Sequence, residues 1–261
     1  MEQLFIIKIG GNIIDEETKL GSFLQEFASI KGKRILVHGG GKLATKLADQ
    51  LGHPQELIGG RRITDAETLK IVTMVYAGYI NKNIVAQLQA RGCNSIGISG
   101  ADGNTLKAHK RIHPEIDYGF VGDVDQINTP FLKELLDQQM AIVVAPITHD
   151  GNGQLLNTNA DTIAQEIAKA LSTSYEVRLI YSFEKSGVLL DVNDEQSVIR
   201  QINPSSYKKL KQQQAIFAGM LPKLDNAFTA LDNGVKKVII GRAEDLQQLI
   251  EGRAGTTIVN E

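Results

Sequence analysis

The segment Leu4-Phe-Ile-Ile-Lys-Ile-Gly-Gly-Asn12 is a short apolar run that ends in two glycines and a polar residue. Comparable runs recur along the chain between longer amphipathic stretches, an alternation that predicts an α/β fold of parallel strands joined by crossover helices. Ligands of such sheets bind outside the carboxyl ends of the strands. The predicted strands are 4–9, 34–37, 95–99, 141–146, 177–181 and 237–240. The predicted helices are 18–30, 42–51, 65–90, 130–138, 162–171, 205–214, 222–233 and 243–251.

The composition is typical of a globular protein. The chain has 261 residues, is 42% hydrophobic and 22% charged, and carries a net charge of −2, which gives no general reason to expect nucleic acid or an anionic membrane as partner. The single cysteine, Cys93, cannot close a disulfide within the chain, which predicts a reducing, cytoplasmic location. No apolar run approaches the roughly 20 residues of a membrane helix, and Glu2 stands where a signal peptide carries basic residues.

Two predicted strands end in glycine-rich loops, Gly10-Gly11-Asn12 and Gly39-Gly40-Gly41. Glycines allow backbone N–H groups to approach a ligand closely and place anions at a following helix N-terminus. Neither loop matches a Walker A motif, and no GxGxxG motif is present. One such loop could be a simple tight turn, but two in one chain favour ligand binding.

Two lysines occupy unusual positions. Strand alternation places Lys8 on the same face as Leu4 and Ile6, where an ammonium group is costly unless it is paired or meets a ligand anion. The alternative is an edge-strand lysine that reaches solvent. Lys223 follows Pro222 in the first turn of a predicted helix, where a cation opposes the helix dipole. A solvated surface lysine is the alternative there.

Polar residues at spacing two precede the predicted helix 162–171. In an extended segment Asn157, Asn159 and Asp161 would lie on one side. Asp161 could cap the helix, or it could hold two lysines in place. Asn157 could donate to and accept from a polar substrate.

Two polar segments interrupt the α/β pattern. Residues 107–122 predict an antiparallel excursion beside a site, and residues 191–203 predict a surface hairpin. Within the first, His109 and His113 have the spacing of a zinc pair but no third ligand, so a surface location is favoured and no metal site is predicted. The basic residues of this segment are expected to be mostly solvated.

Two further polar pairs are open to interpretation. Arg62, which follows Arg61, could clamp a carboxylate or be solvated. Asn81 and Lys82 are expected on a polar helix face.

In this order, the motifs resemble the amino-acid kinase family over nearly the whole chain. Those that carry the resemblance are Lys8-Ile-Gly-Gly11, His38-Gly-Gly-Gly41, Gly60-Arg-Arg62-Ile-Thr64, Asn81-Lys82, Gly119-Phe-Val-Gly122, Asn157-Thr-Asn159-Ala-Asp161, Ser186-Gly-Val188 and Gly219-Met-Leu-Pro-Lys223. The resemblance implies a three-layer sandwich with a central, mainly parallel sheet. It also implies a lobe at 1–172 for the acylated amino acid and for dimerisation, and a lobe at 173–261 for MgATP.

The resemblance also implies roles for individual residues. Lys8 and Lys223 would stabilise the transferring phosphoryl group, and Asp161 would orient both lysines. The acceptor-binding residues would be Gly40, Gly41, Arg62, Asn157 and Asn159. The nucleotide-binding residues would be Gly10, Gly11, Asn12, Glu184, Ser186, Gly187, Phe217 and Gly219.

The activity implied is ATP-dependent phosphorylation of the side-chain carboxylate of N-acetylglutamate, in arginine biosynthesis. N-succinylglutamate is an alternative acceptor. Where the family usually has Thr-Asp-Val, this chain has Phe183-Glu184-Lys185, which keeps a non-catalytic ligand sensor open as a further alternative. The resemblance also leads us to expect a homodimer with little inhibition by arginine.

Overall fold

The computed structural model describes residues 1–58, 61–213, 216 and 220–260, apart from the side chain of Pro222. The strands are β1 (Gln3–Ile9), β2 (Lys33–His38), β3 (Leu57–Ile58), β4 (Arg61–Arg62), β5 (Ser95–Ile98), β6 (Leu106–Lys110), β7 (Gly122–Ile127), β8 (Ala141–Val144), β9 (Ile147–His149), β10 (Leu155–Asn157), β11 (Glu176–Phe183), β12 (Gln201–Ile202), β13 (Lys237–Arg242) and β14 (Thr256–Ile258). The α-helices are α1 (Gly11–Ile14), α2 (Glu17–Ser29), α3 (Gly41–Gln50), α4 (Ala66–Thr73), α5 (Asn81–Ala90), α6 (Thr129–Asp137), α7 (Ala160–Leu171), α8 (Pro204–Gln212), α9 (Leu221–Asp232) and α10 (Leu246–Ile250). Short 3₁₀ turns span Asp102–Asn104 and Ala243–Asp245.

The main sheet has eight strands in the order β12-β14-β13-β11-β1-β2-β8-β5. Every neighbouring pair is parallel except β13 and β14, which are antiparallel. This confirms the predicted mainly parallel sheet. All six strands predicted from the apolar runs belong to it, with ends that differ by one or two residues.

Side chains of β1 alternate between two apolar cores, one on each face of the sheet. Leu4 and Ile6 pack in the core that includes residues of α7 and α9. Phe5 and Ile7 pack in the core that includes residues of α2, α3 and α5. Helices therefore cover both faces, which gives the predicted three layers. Lys8 follows Ile6 on the α7 side, as the alternation predicted.

A second sheet, in the order β10-β9-β6-β7, lies beside the first. The predicted excursion at 107–122 is confirmed, because β6 and β7 pair antiparallel with a bulge between Lys107 and Ala108. The β9–β10 hairpin was not predicted; its turn contains Gly151 and Gly153 in the positive-φ region. The predicted hairpin at 191–203 is confirmed only in part: Leu189 is bridged antiparallel to Val198, whereas Gln201–Ile202 forms β12 of the main sheet.

The predicted helix 65–90 is continuous but not uniform. It winds as a π-helix over Met74–Ile80, between α4 and α5. A π segment has i→i+5 backbone hydrogen bonds in place of i→i+4 bonds and is often found at functional sites. The apolar spacing did not reveal the π-helix, because the whole of 65–90 is compatible with the spacing of an α-helix. In the part of the chain that the structure describes, no helix combines the length and apolar character needed to cross a membrane.

Candidate functional site

Three charged side chains from separate elements meet at the carboxyl end of β1. The Lys8 Nζ lies 2.8 Å from Asp161 Oδ1, and the Lys223 Nζ lies 2.9 Å from Asp161 Oδ2. Lys8 comes from β1, Asp161 from the first turn of α7 and Lys223 from the first turn of α9. The lysines that the sequence singled out are therefore paired with the aspartate that was expected between them.

The electrostatics of this cluster follow from its burial. Burial alone would raise the pKa of Asp161, but the two ammonium groups hold that pKa well below its usual range. Asp161 is thus ionised at neutral pH. Tyr181, the neighbour of Lys8 on β11, donates a hydrogen bond to the Asp161 carbonyl, and Lys223 lies over its ring.

The alternative role of Asp161 as a helix cap is wrong. The N-cap of α7 is Asn159, whose side chain accepts from the Asp161 and Thr162 amides at 2.7 and 3.3 Å. Because Asn159 caps the helix, the Asp161 carboxylate remains available to the two lysines. The three polar residues also do not act as one row, since Asn157 donates to Thr64 Oγ1 at 3.0 Å.

The two glycine loops differ in what they offer a ligand. The Gly10 amide already donates to the Ser182 carbonyl, so its N–H is not free for a phosphate. Gly11 begins α1, and the Asn12 side chain accepts from the Lys42 ammonium. In the second loop Gly40 has φ of +143°, and a Cβ there would collide with Ile80. Only glycine fits at this position.

A cavity of about 230 Å³ opens beside the second glycine loop. The Arg62 guanidinium lines it and donates to Gln55 Oε1 at 2.6 Å, and to the Gly41 carbonyl and Thr45 Oγ1 at 2.9 Å each. All these acceptors are neutral, so its charge can meet a ligand anion. The predicted acceptor residues that line the cavity are Gly40, Gly41, Arg62, Asn157 and Asn159.

Arg111 lines the same cavity, which the sequence did not predict. Its side chain is only 14% exposed, and its Nε and Nη2 donate to the Asp123 carboxylate. This pairing lowers the pKa of Asp123. The neighbouring basic side chains are exposed, as expected for a solvated run: Lys107, His109, Lys110 and His113. The spacing of charges gave no signal that Arg111 would turn inward.

A second cavity, of about 250 Å³, lies in the 173–261 region. Its wall is largely apolar, with Val188, Leu189 and Met220, and Lys223 completes it. Of the predicted nucleotide-binding residues, Glu184 and Gly187 line it, whereas Ser186 does not. Phe217 and Gly219 lie outside the described residues, as do Gly59 and Gly60 of the acceptor side.

Glu195 forms a charge cluster next to this second cavity that the sequence did not reveal. Its carboxylate pairs with Lys185 at 2.9 Å and Arg242 at 2.7 Å, and accepts from the Ser186 hydroxyl at 2.8 Å. Hydrogen bonds from Lys185 and Ser186 lower the pKa of Glu195 to about 2. Lys185 also donates to the Val192 carbonyl, so it joins two parts of the cavity wall.

The remaining candidates lie elsewhere. His109 bonds Asp125, and His113 Nδ1 accepts from the Glu115 and Ile116 amides, so the two histidines have separate partners. Within residues 1–58, 61–213, 216 and 220–260, no group of three or more His, Cys, Asp or Glu side chains could hold a metal ion. The polar-face prediction for Asn81 is wrong, because that side chain is fully buried.

Comparison with known proteins agrees with this architecture. A model of the Amino acid kinase family matches residues 3–242, so the chain belongs to that family. The chain is 55% identical over 262 residues to the acetylglutamate kinase of Cytophaga hutchinsonii, with 99% of each protein covered. It is 55% identical over 248 residues to the acetylglutamate kinase of Parabacteroides distasonis, and this match covers 95% of this chain and 97% of the relative. The solved structure of smu.665 from Streptococcus mutans UA159 is 27% identical, with a TM-score of 0.79 and 99% of each chain covered.

Proposed function

We propose that the protein uses ATP to phosphorylate the side-chain carboxylate of N-acetyl-L-glutamate, giving an acyl phosphate in arginine biosynthesis. The observation that carries this proposal is the Lys8–Asp161–Lys223 cluster, with both lysines within 3 Å of one carboxylate. Lys223 also lines the second cavity. The identity to acetylglutamate kinases supports the same acceptor.

The acceptor needs no general base. A glutamate side chain has a reference pKa of about 4.3 and is already a nucleophilic carboxylate at pH 7. The remaining obstacle is the approach of two anions, the carboxylate and the γ-phosphoryl group. Lys8 and Lys223 carry two positive charges against the single charge of Asp161. The cluster therefore keeps a net positive charge that stabilises the phosphoryl group as it moves.

We assign the second cavity to the nucleotide. Its apolar wall of Val188, Leu189 and Met220 suits a flat base, and Lys223 at its edge suits the phosphates. Gly11 and Asn12, which open α1, would meet the phosphates from the opposite side. Ser186 would act through Glu195 by holding the loop that forms the cavity wall.

Mg²⁺ would enter with the nucleotide. Both oxygens of Asp161 are engaged by lysines, so this carboxylate does not suit direct coordination. Magnesium keeps several waters and readily takes phosphate oxygens as ligands. When bound, the ion would supply positive charge to the phosphate oxygens.

We assign the first cavity to the acylated amino acid. Arg62 would bind the α-carboxylate, because its guanidinium is held in place by neutral acceptors and keeps its charge. Asn157 would contact the acyl amide, and the Gly40–Gly41 backbone would approach the substrate closely. The side-chain oxygen of Asn159 caps α7 and is not free for the substrate, so Asn159 would support the acceptor site by fixing the start of that helix.

N-succinylglutamate is the second candidate acceptor, and Arg111 is the observation that favours it. A succinyl group ends in a carboxylate that must find a cation when it is buried. Arg111 places a guanidinium in the cavity wall, although Asp123 already neutralises it. An acetyl group needs only a small apolar contact, so the Arg111–Asp123 pair is compatible with it as it stands.

We also propose that residues 1–172 form the acceptor lobe, that residues 173–261 form the nucleotide lobe, and that the protein is a cytoplasmic homodimer. A groove of about 590 Å³ runs between α4 and the β9–β10 hairpin, lined by Leu69, Met74, Phe120 and Leu155. Met74 is 55% exposed. An apolar groove of this kind on the acceptor lobe suits a second copy of the chain.

The experiment that tests the proposed function is a coupled ATP-turnover assay with three acceptors: N-acetylglutamate, N-succinylglutamate and free glutamate. Turnover with either acylated acceptor, and little with free glutamate, is the expected result. Binding of ATP and acceptor without turnover would instead identify a ligand sensor. Absence of both binding and turnover would overturn the assignment of the two cavities.

A further inference from the structure

We infer that Asn81 and His38 are positioning residues that hold the Gly39–Gly41 loop in the conformation that receives the acceptor. The inference rests on the proposed function, because it assigns that loop to acceptor binding. Neither residue lines the acceptor cavity, so both would act through the loop.

The two side chains form a buried polar chain that leads to the loop. Both are 0% exposed. The His38 Nδ1 lies 2.8 Å from the Gly39 carbonyl, which can only accept, so Nδ1 carries the proton. Asn81 Nδ2 donates to the Val143 carbonyl at 3.0 Å and faces His38 Nε2 at 3.3 Å. Asn81 thereby fixes the histidine tautomer that bonds to Gly39.

This arrangement requires a neutral imidazole. Burial lowers the pKa of His38 to about 4, whereas the bond to the Gly39 carbonyl acts in the opposite direction. The ring is therefore uncharged at pH 7. Both ring nitrogens are engaged, Nδ1 as a donor and Nε2 as an acceptor, so the ring is held in one orientation.

The chain continues to the far side of Asn81. The Lys82 ammonium donates to Asn81 Oδ1 at 3.2 Å and to the Gly97 carbonyl at 2.6 Å. A Cβ at Gly97 would collide with the Asn81 side chain, so glycine is needed for Asn81 to lie against β5. Both polar atoms of the Asn81 side chain therefore have partners, Nδ2 in the core and Oδ1 at the exposed Lys82.

The π-helix places these groups. It ends at Ile80, directly before Asn81, and its residues Tyr76 and Ile80 pack against Gly40. The same helical segment thus contacts the loop through apolar side chains and through Asn81. A local change of helical winding at this point directs an amide into the core and two apolar side chains against the loop.

Loss of Asn81 should loosen the loop specifically. In Asn81→Ala the His38 Nε2 and the Val143 carbonyl lose their partner, and a buried polar group left unpaired is costly. The ring is then free to turn away from Gly39. We expect the KM for the acceptor to rise by about tenfold or more, with the KM for ATP changed less than about twofold.

The experiment compares Asn81→Ala with Asn128→Ala, which removes the cap of α6 away from both cavities. Steady-state kinetics, thermal unfolding and hydrogen exchange of the peptide spanning residues 38–43 are measured for each. Faster exchange at 39–43 together with the selective rise in acceptor KM is expected for Asn81→Ala only. Unchanged exchange there, equal rises in both KM values, or the same changes in Asn128→Ala would overturn the inference.

Two further measurements keep the outcomes separate. If Asn81→Ala does not fold, Asn81→Ser retains one hydroxyl donor and should show a smaller change of the same kind. If the wild-type protein turns over neither acylglutamate, the proposed function fails. The exchange of residues 39–43 then still decides whether Asn81 and His38 support the loop.

Discussion

Lys8 and Lys223 bind opposite oxygens of a single carboxylate, at 2.8 and 2.9 Å. Lys8 lies near the carboxyl end of β1, and Lys223 lies in the first turn of α9. Asp161 therefore fixes the separation of two cations that belong to different parts of the chain.

Replacement of either lysine should mainly lower kcat. Lys8→Met or Lys223→Met removes a cation that we assign to stabilising the moving phosphoryl group, and most substrate contacts should remain. We expect kcat to fall on the order of a hundredfold or more, with a smaller change in acceptor KM. Steady-state kinetics with both substrates varied checks this. Small and equal effects on kcat and KM would contradict the assigned roles.

Arg62→Ala should instead raise acceptor KM. We assign Arg62 to the α-carboxylate of the acceptor, which keeps its charge throughout the reaction, so Arg62 should contribute equally to the ground state and the transition state. Arg61→Ala is the matched control, because Arg61 lines the same cavity but its side chain is exposed. An equal rise in KM for the two variants would mean that only the general positive charge of the cavity matters.

The selectivity for the acyl group should depend on Asp123. With Arg111 neutralised by Asp123, the ratio of kcat/KM for N-succinyl- over N-acetylglutamate is expected to lie well below one. Asp123→Asn removes the neutralising charge, and the ratio should then rise several-fold. A wild-type ratio on the order of a hundred or more would show that Arg111 receives a second substrate carboxylate and that succinyl is the natural acyl group.

Glu195→Gln should lose stability in a pH-dependent way. The pKa of Glu195 in the folded protein is about 2, below its value in an unfolded chain. Its contribution is therefore fully present above about pH 5 and is lost as the pH falls through about 4 towards 2. Denaturant unfolding of wild type and variant should differ at pH 7 and converge towards pH 3.

The matched control for this experiment is the exposed Glu115, replaced by Gln. Its substitution should change stability little at any of these pH values. A difference between wild type and Glu195→Gln that does not depend on pH would mean that the carboxylate charge is not what matters.

Met74→Asp should weaken the proposed homodimer. The substitution places a charge in the apolar groove that we assign to the interface. Light scattering at several concentrations should show a dimer for the wild type and a larger monomer fraction for the variant. Ile112→Asp is the control, because Ile112 is 88% exposed outside the groove. A hexamer of the wild type, or strong inhibition by arginine, would contradict the expected assembly.

The sequence allowed prediction of those site residues whose position depends on local pattern. Lys8 was placed by strand alternation, and Lys223 by the proline at a helix start. Asn81, Arg111 and Glu195 were missed or misread, because their surroundings are built by residues distant in the chain. Asn81 meets Val143 and His38, and Arg111 meets Asp123 across a strand pair. Periodicity describes which face a residue occupies, but not which distant group it meets there.

In the fold, too, elements set by local pattern were predicted, and elements that depend on distant contacts were missed. The strands of the main sheet were predicted because each is an apolar run bounded by turns. The β9–β10 hairpin was missed because Thr148 and Asn157 interrupt the apolar pattern, although Thr148 is buried and bonded to Thr158. The π-helix was missed because no residue type demands it.

The place of β1 in the sheet has a consequence for how the chain folds as it is synthesised. β1 pairs with β2 on one edge and with β11 on the other, from Gln3↔Glu176 to Ile9↔Ser182. Because β1 is synthesised long before β11, it keeps one edge open until β11 has been made. An open parallel edge is a site of wrong association. The nascent chain thus carries an unfilled edge while the residues between β1 and β11 are made, so slow translation or truncation before β11 should favour aggregation and chaperone binding.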